Sequence, residues 1–108
     1  MRYRLLGLLL VAPLLSGCDK TPNTFTVIDP KGTADRAEVH LCGARTTLWH
    51  INRRFIGIHF TDCEGDGRVL VHLSDGRTAS CLIGYVTSGL NQDFRFAIDD
   101  GKCLPAGR

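Results

Sequence analysis

The chain lacks an apolar run long enough to cross a bilayer as a helix. Its longest, Leu5 to Leu15, is interrupted by Gly7 and Pro13 and falls well short of the roughly 20 residues required. Cys-x-x-Cys is absent, and with it the paired spacing typical of structural zinc. There is no Gly-x-Ser-x-Gly, no phosphate-cradling glycine loop and no dinucleotide fingerprint, which removes the common hydrolase and nucleotide-binding signatures. No basic run follows the first four residues, so nothing points to nucleic acid or to an electrostatically held membrane surface. Long stretches of helical period, internal repeats and low-complexity segments are missing as well. At 108 residues the chain has room for one domain.

What is present begins at the N-terminus. Met1-Arg2-Tyr3-Arg4 carries two positive charges, Leu5–Leu15 is apolar, and Ser16-Gly17 places small residues before a cysteine. This is the plan of a secretory leader. Leu15-Ser16-Gly17-Cys18 resembles the bacterial lipobox, with every position of the motif filled. The resemblance covers only these first 18 or so residues. It implies cleavage before Cys18, a diacylglyceryl group on the Cys18 thiol, and attachment of residues 18–108 to a membrane facing the periplasm. Asp19 resembles the residue that retains some lipoproteins in the inner membrane, which favours that membrane over the outer one. Removing Arg2 and Arg4 from 13 Lys+Arg leaves 11 against 11 Asp+Glu, so the mature chain is near neutral with its histidines uncharged. Lipid rather than charge is then expected to position it, since each buried methylene contributes about 0.8 kcal/mol.

Cys42, Cys63, Cys81 and Cys103 remain. An even count in a short exported chain reads as two disulfides, with three connectivities open. Hairpin geometry favours one of them. If residues 45–51 and 54–60 pair around Asn52-Arg53, Cys42 falls opposite Cys63 at the open end. A second hairpin centred on Asn91-Gln92-Asp93 brings Cys81 opposite Cys103. Two such staples, at roughly 2–4 kcal/mol each, are comparable with the net stability of a small domain.

The period along residues 25–108 is two far more often than 3.6. Residues 18–24 read as the lipidated cysteine and a short polar tether, with Phe25–Ile28 the first strand and Asp29-Pro30-Lys31-Gly32 its stop. Residues 34–42 alternate as a strand, although Asp35 and Glu38 also fit a short capped helix ending at Gly43. In the first hairpin Trp49 and Ile51 share a face with Ile56, Ile58 and Phe60, and bulk assigns that face to the core. The opposite face then carries Leu48, His50, Phe55, Gly57 and His59. Ser74-Asp75-Gly76 joins residues 68–73 to 77–85 as a hairpin, with Val69, Val71 and Leu73 inward. Phe94–Ile98 alternates again before Asp99-Asp100-Gly101. The expected fold is an all-β, disulfide-stapled antiparallel meander of about six strands, forming a compact sandwich or a partly closed barrel.

Three candidate chemistries stand out. Asp62-Cys63-Glu64-Gly65-Asp66-Gly67 looks like a calcium loop, but its twelfth position is Leu73, where a bidentate glutamate is needed. His40, His50, His59 and His72 lie scattered on expected strands, where a satisfied or surface histidine is the commoner outcome. No metal or other cofactor is expected. Ser88 follows Val86 where a nucleophile elbow needs glycine two residues before it, and no catalytic residue is assigned. Arg53-Arg54, at the tip of the first hairpin, is an exposed pair able to contact carboxylate or phosphate. Together these point to a membrane-anchored binding module with a protein or glycan partner. A structural or assembly component of the envelope is the alternative, and a metal-binding domain or an enzyme ranks behind both.

Overall fold

The computed structural model describes residues 20–106. The leader expected at residues 1–17, Cys18 and Asp19 lie outside them. The described chain forms nine strands and no helix: β1 Thr21–Ile28, β2 Ala34–Leu41, β3 Ala44–Thr47, β4 Trp49–Ile51, β5 Arg54–Thr61, β6 Gly65–Leu73, β7 Thr78–Val86, β8 Asp93–Asp99 and β9 Lys102–Pro105. They make two sheets, a five-stranded one ordered β4-β5-β1-β8-β9 and a four-stranded one ordered β3-β2-β6-β7. The all-β expectation therefore takes its sandwich form.

After β1 the chain places tight hairpins alternately on the two sheets: β2–β3 on the smaller, β4–β5 on the larger, β6–β7 on the smaller and β8–β9 on the larger. Alternating side chains give each hairpin one inward face. Phe25, Val27, Phe55, Phe96 and Ile98 from one sheet meet Val39, Leu41, Val69, Val71 and Ile83 from the other. Residues 34–41 are strand rather than helix. Gly43, which would have ended that helix, instead forms a two-residue turn with Cys42, both at positive φ, between Leu41 and Ala44. Such turns match the twist of paired strands.

The topology departs from a simple meander at β1. This strand pairs antiparallel with β5 and parallel with β8, so the first strand lies at the centre of its sheet. It also starts earlier than expected. Residues 21–24 pair with β5 through Thr21↔Thr61 to Thr24↔Ile58, leaving only Asp19 and Lys20 between Cys18 and the first strand.

The expected first hairpin is broken in two. Residues 44–47 pair with β2, and only Trp49–Ile51 pairs with β5. The chain crosses between the sheets at Leu48, which is buried and donates its amide to the Ala37 carbonyl at 2.9 Å. Gly57 makes room for this crossing, because a Cβ there would stand 2.7 Å from a Leu48 methyl.

The disulfides join Cys42 to Cys63 and Cys81 to Cys103, by a geometry other than the two expected hairpins. Cys42 sits in the β2–β3 turn and Cys63 in the crossover from β5 to β6. Cys81, on the edge strand of the smaller sheet, reaches Cys103 on the edge strand of the larger one. One side of the sandwich is thus closed by a disulfide and the other by the chain itself at Leu48.

Candidate functional site: the outer face of the larger sheet

The structure inverts the expected facing of β4 and β5. Phe55, His59 and Leu48 point inward and are buried. Trp49 is 74% exposed, Phe60 59%, Ile58 51% and Ile51 47%. The face assigned to the core by bulk is the outer face.

Long-range contacts explain how the inner face accommodates a glycine and a histidine. Gly57 receives Leu48, as above. His59 accepts the Thr46 hydroxyl on Nδ1 at 2.7 Å and donates from Nε2 to the Leu41 carbonyl at 3.2 Å, a tautomer assigned from these partners. Both ring nitrogens are satisfied, so the buried polar group carries little penalty. Burial also holds the His59 imidazole below its ordinary value, against the opposing effects of the Leu41 hydrogen bond and nearby Asp62. Next to it, Asn23 donates to the Thr61 hydroxyl at 2.9 Å and accepts the Gln92 amide at 2.8 Å. Asn23, His59 and Thr61 on the inner face are each hydrogen-bonded, whereas the buried Oε1 of Gln92, whose amide meets Asn23, has no partner among the described residues.

The outer face is built in rows across the strands. Trp49 lies beside Ile56, then Thr26 and Arg95. One row away, Ile51, Arg54, Ile28, Ala97 and Leu104 cross all five strands. In the other direction Ile58 adjoins Thr24 and Phe60 adjoins Pro22. Pro22, Thr24, Thr26 and Ile28 are half-buried by their neighbours. Large side chains on the flanking strands thus surround smaller ones on the central strand. Charges lie among and around them: Arg54 is exposed, and Arg95 is held by Asp93 at 3.0 Å.

The outer face of the smaller sheet is different. Arg36, Glu38 and His40 of β2 lie beside His72, Leu70 and Arg68 of β6. Glu38 is the hub: His40 Nε2 stands 3.0 Å and His72 Nε2 3.8 Å from its Oε1, with Arg36 Nε 3.2 Å from Oε2. The His40 hydrogen bond holds the Glu38 carboxyl below its usual range, with help from Arg36 and His72. Arg36 and Glu38 form an ion pair, and the two imidazoles gather around the same carboxylate. Among the described residues no group of three or more His, Cys, Asp or Glu has an arrangement that could hold a metal.

The remaining sequence candidates fall apart spatially. The four histidines divide between the faces: His40 and His72 on the smaller sheet, His59 inside, and His50 stacked on Phe55 with ring centroids 4.1 Å apart. The segment from Asp62 does not form a twelve-residue ligand loop, because Gly65–Leu73 is strand β6. Arg53 and Arg54 separate. Arg53 donates to the Pro30 carbonyl and lies over Gly32, bracing two turns together. Arg54 alone joins the outer face. The Thr46–His59 pair couples a hydroxyl to an imidazole, but its second nitrogen is held by a carbonyl rather than a carboxylate, which is a structural arrangement.

The sequence missed the outer face because it contains the same residue types a core does. The available signal was the mixture opposite it, since a strand with glycine and histidine on one side still needs that side inward if long-range partners exist. Compared with known proteins, the chain matches no protein-family model, no curated protein and no solved structure.

Proposed function

We propose that the chain is an exported lipoprotein, cut before Cys18 and acylated there, whose β domain binds a partner at the envelope rather than catalysing a reaction. The observation that carries the binding reading is the outer face of the larger sheet. Trp49, Ile51, Ile58 and Phe60 are exposed together in adjacent rows. Scattered exposed apolar residues need no explanation, but a contiguous group on one face marks an interaction surface. Antiparallel sheets with a solvated side usually alternate apolar-in and polar-out. The core is built from the other side, so it does not require this side to be apolar.

Tryptophan and arginine are the residues most often found at the energetic centre of a binding surface, and Trp49 and Arg54 both lie on this one. Lipidation would hold the face within reach of envelope components. The anchoring part of the proposal is tested by mass spectrometry of the mature N-terminus and by Cys18→Ser. An acylated Cys18 in the unsubstituted protein and release or mislocalisation of the variant, without acylation, are expected, whereas finding residues 1–17 still attached to the unsubstituted protein would remove the reading. The binding part is tested by photo-crosslinking in live cells from position 58 and, for comparison, from position 70 on the other sheet. Adducts specific to position 58 are expected; equal labelling from both positions would count against this face.

A further inference from the structure

We infer that the partner of this apolar face is the bilayer surface itself, with the larger sheet lying flat in the headgroup region. The inference rests on the lipid anchor proposed above and adds to it an orientation. The first element is reach. Cys18 is three residues before Thr21, where β1 begins, so an acylated Cys18 stands at most about 10 Å from the start of the sheet. β1 is the central strand of that sheet. A domain tethered so closely through its middle strand must rest some part of its surface on the membrane.

Two surfaces meet at that end of β1, and their chemistry decides between them. Standing end-on would press the β5–β6 crossover onto the lipid. That end exposes Asp62 and Glu64 of the crossover, which anionic headgroups repel, with Tyr85 and Leu90 as its large apolar side chains, fewer than the flat face offers. Lying flat would instead present Pro22 and Phe60 beside the tether, then Ile58, then Ile56 with Trp49, and last Ile51 with Arg54. Aromatic rings with aliphatic side chains and cations are the composition of interfacial segments, which settle about 5–10 Å into the headgroup boundary. The exposed cations Lys20, Arg54, Arg95 and Lys102 on and around this face are balanced by the exposed acids Asp62, Asp93, Asp99 and Asp100, so its apolar side chains rather than its charge carry the orientation. The flat orientation would leave the Glu38, His40 and His72 network facing away from the membrane.

The two orientations differ at one residue. Trp49 lies beside Ile56, five residues along β5 from Thr61, a distance of about 17 Å at ~3.4 Å per residue. End-on, it stands clear of the lipid; flat, it enters the interface. It is also the chain's single tryptophan, so its emission reports on this face alone. The test places the purified lipidated protein in vesicles of phosphatidylethanolamine and phosphatidylglycerol, with and without brominated acyl chains, after mass spectrometry of its N-terminus. The expected result is an acylated Cys18, a blue-shifted emission and loss of most of it to the bromolipid. Ile58→Ser with Phe60→Ser should restore much of that emission while the far-ultraviolet spectrum stays unchanged. An acylated protein whose Trp49 remains unquenched overturns the flat orientation and leaves the lipoprotein reading standing. An unmodified Cys18 overturns both. Shielding of Trp49 without lipid, accompanied by a doubled mass in sedimentation, would assign the face to a second copy of the chain and overturn the inference.

Discussion

On β5 the outward positions are Arg54, Ile56, Ile58 and Phe60; on β6, in the other sheet, they include Arg68, Leu70 and His72. The strands have similar lengths and each buries its alternate side chains against the same core. Their outer faces nevertheless differ in kind. The smaller sheet gathers Arg36, His40 and His72 around Glu38, as a solvated face does, and its large exposed apolar side chains, Leu82 and Tyr85, stand on the edge strand β7. The larger sheet leaves apolar side chains without cover. Local rules and global fold agree on the first face and conflict on the second, and such conflicts are expected where function has a claim on the surface.

The largest expected difference between the two sides of the sheet lies in two phenylalanines of one strand. Phe55→Ala removes a fully buried ring and should cost about 3–5 kcal/mol in urea unfolding. Phe60→Ala, five residues on, should change stability by no more than about 0.5 kcal/mol. The opposite order would return the core to the face that bulk alone selects. Next in size is the disulfide across the sandwich. Replacing Cys81 and Cys103 together by serine should cost roughly 2–4 kcal/mol, measured in the same way, because it opens the side that Leu48 does not close.

His59 gives a smaller, pH-dependent effect from inside the larger sheet. Its folded imidazole resists protonation because it is buried, whereas the unfolded chain binds the proton near an ordinary value of about 6.5. The unfolded state therefore holds more protons below that pH. Stability is present above about pH 6.5 and falls as pH drops from there toward the depressed folded value. Urea titrations at successive pH values should show this decline, and His59→Gln should flatten it. Smallest is Glu38→Gln on the polar face, expected to cost at most about 1 kcal/mol and less in high salt. The folded carboxyl is held low, so its contribution is present above the unfolded carboxylate value and lost as pH falls through the folded one.

Some of this was legible in the sequence. The Ser74-Asp75-Gly76 turn and the alternation around Val69, Val71 and Leu73 place β6 and β7 correctly, because a hairpin is a local object. The pairing of Trp49 with Ile56 and Ile51 with Arg54 is likewise the expected register. Which way that hairpin faces was not legible. The answer depends on Leu41 and Thr46 receiving His59, and on Leu48 filling the space over Gly57. Those contacts follow from the switch of sheets at Leu48, which no short-range pattern announces. The parallel pairing of β1 with β8 joins residues about seventy positions apart, beyond the reach of any turn signal. Cysteine pairing came from the right partners by the wrong route, since sheets rather than hairpins bring Cys81 and Cys103 together.

The account turns on Trp49 pointing away from the core. In residues 19–108 produced without the leader, free of lipid and detergent, its emission maximum should lie near that of tryptophan in water, and iodide should quench it readily. A blue-shifted emission that iodide cannot reach, in a protein shown to be monomeric, would place Trp49 in the core and contradict the account.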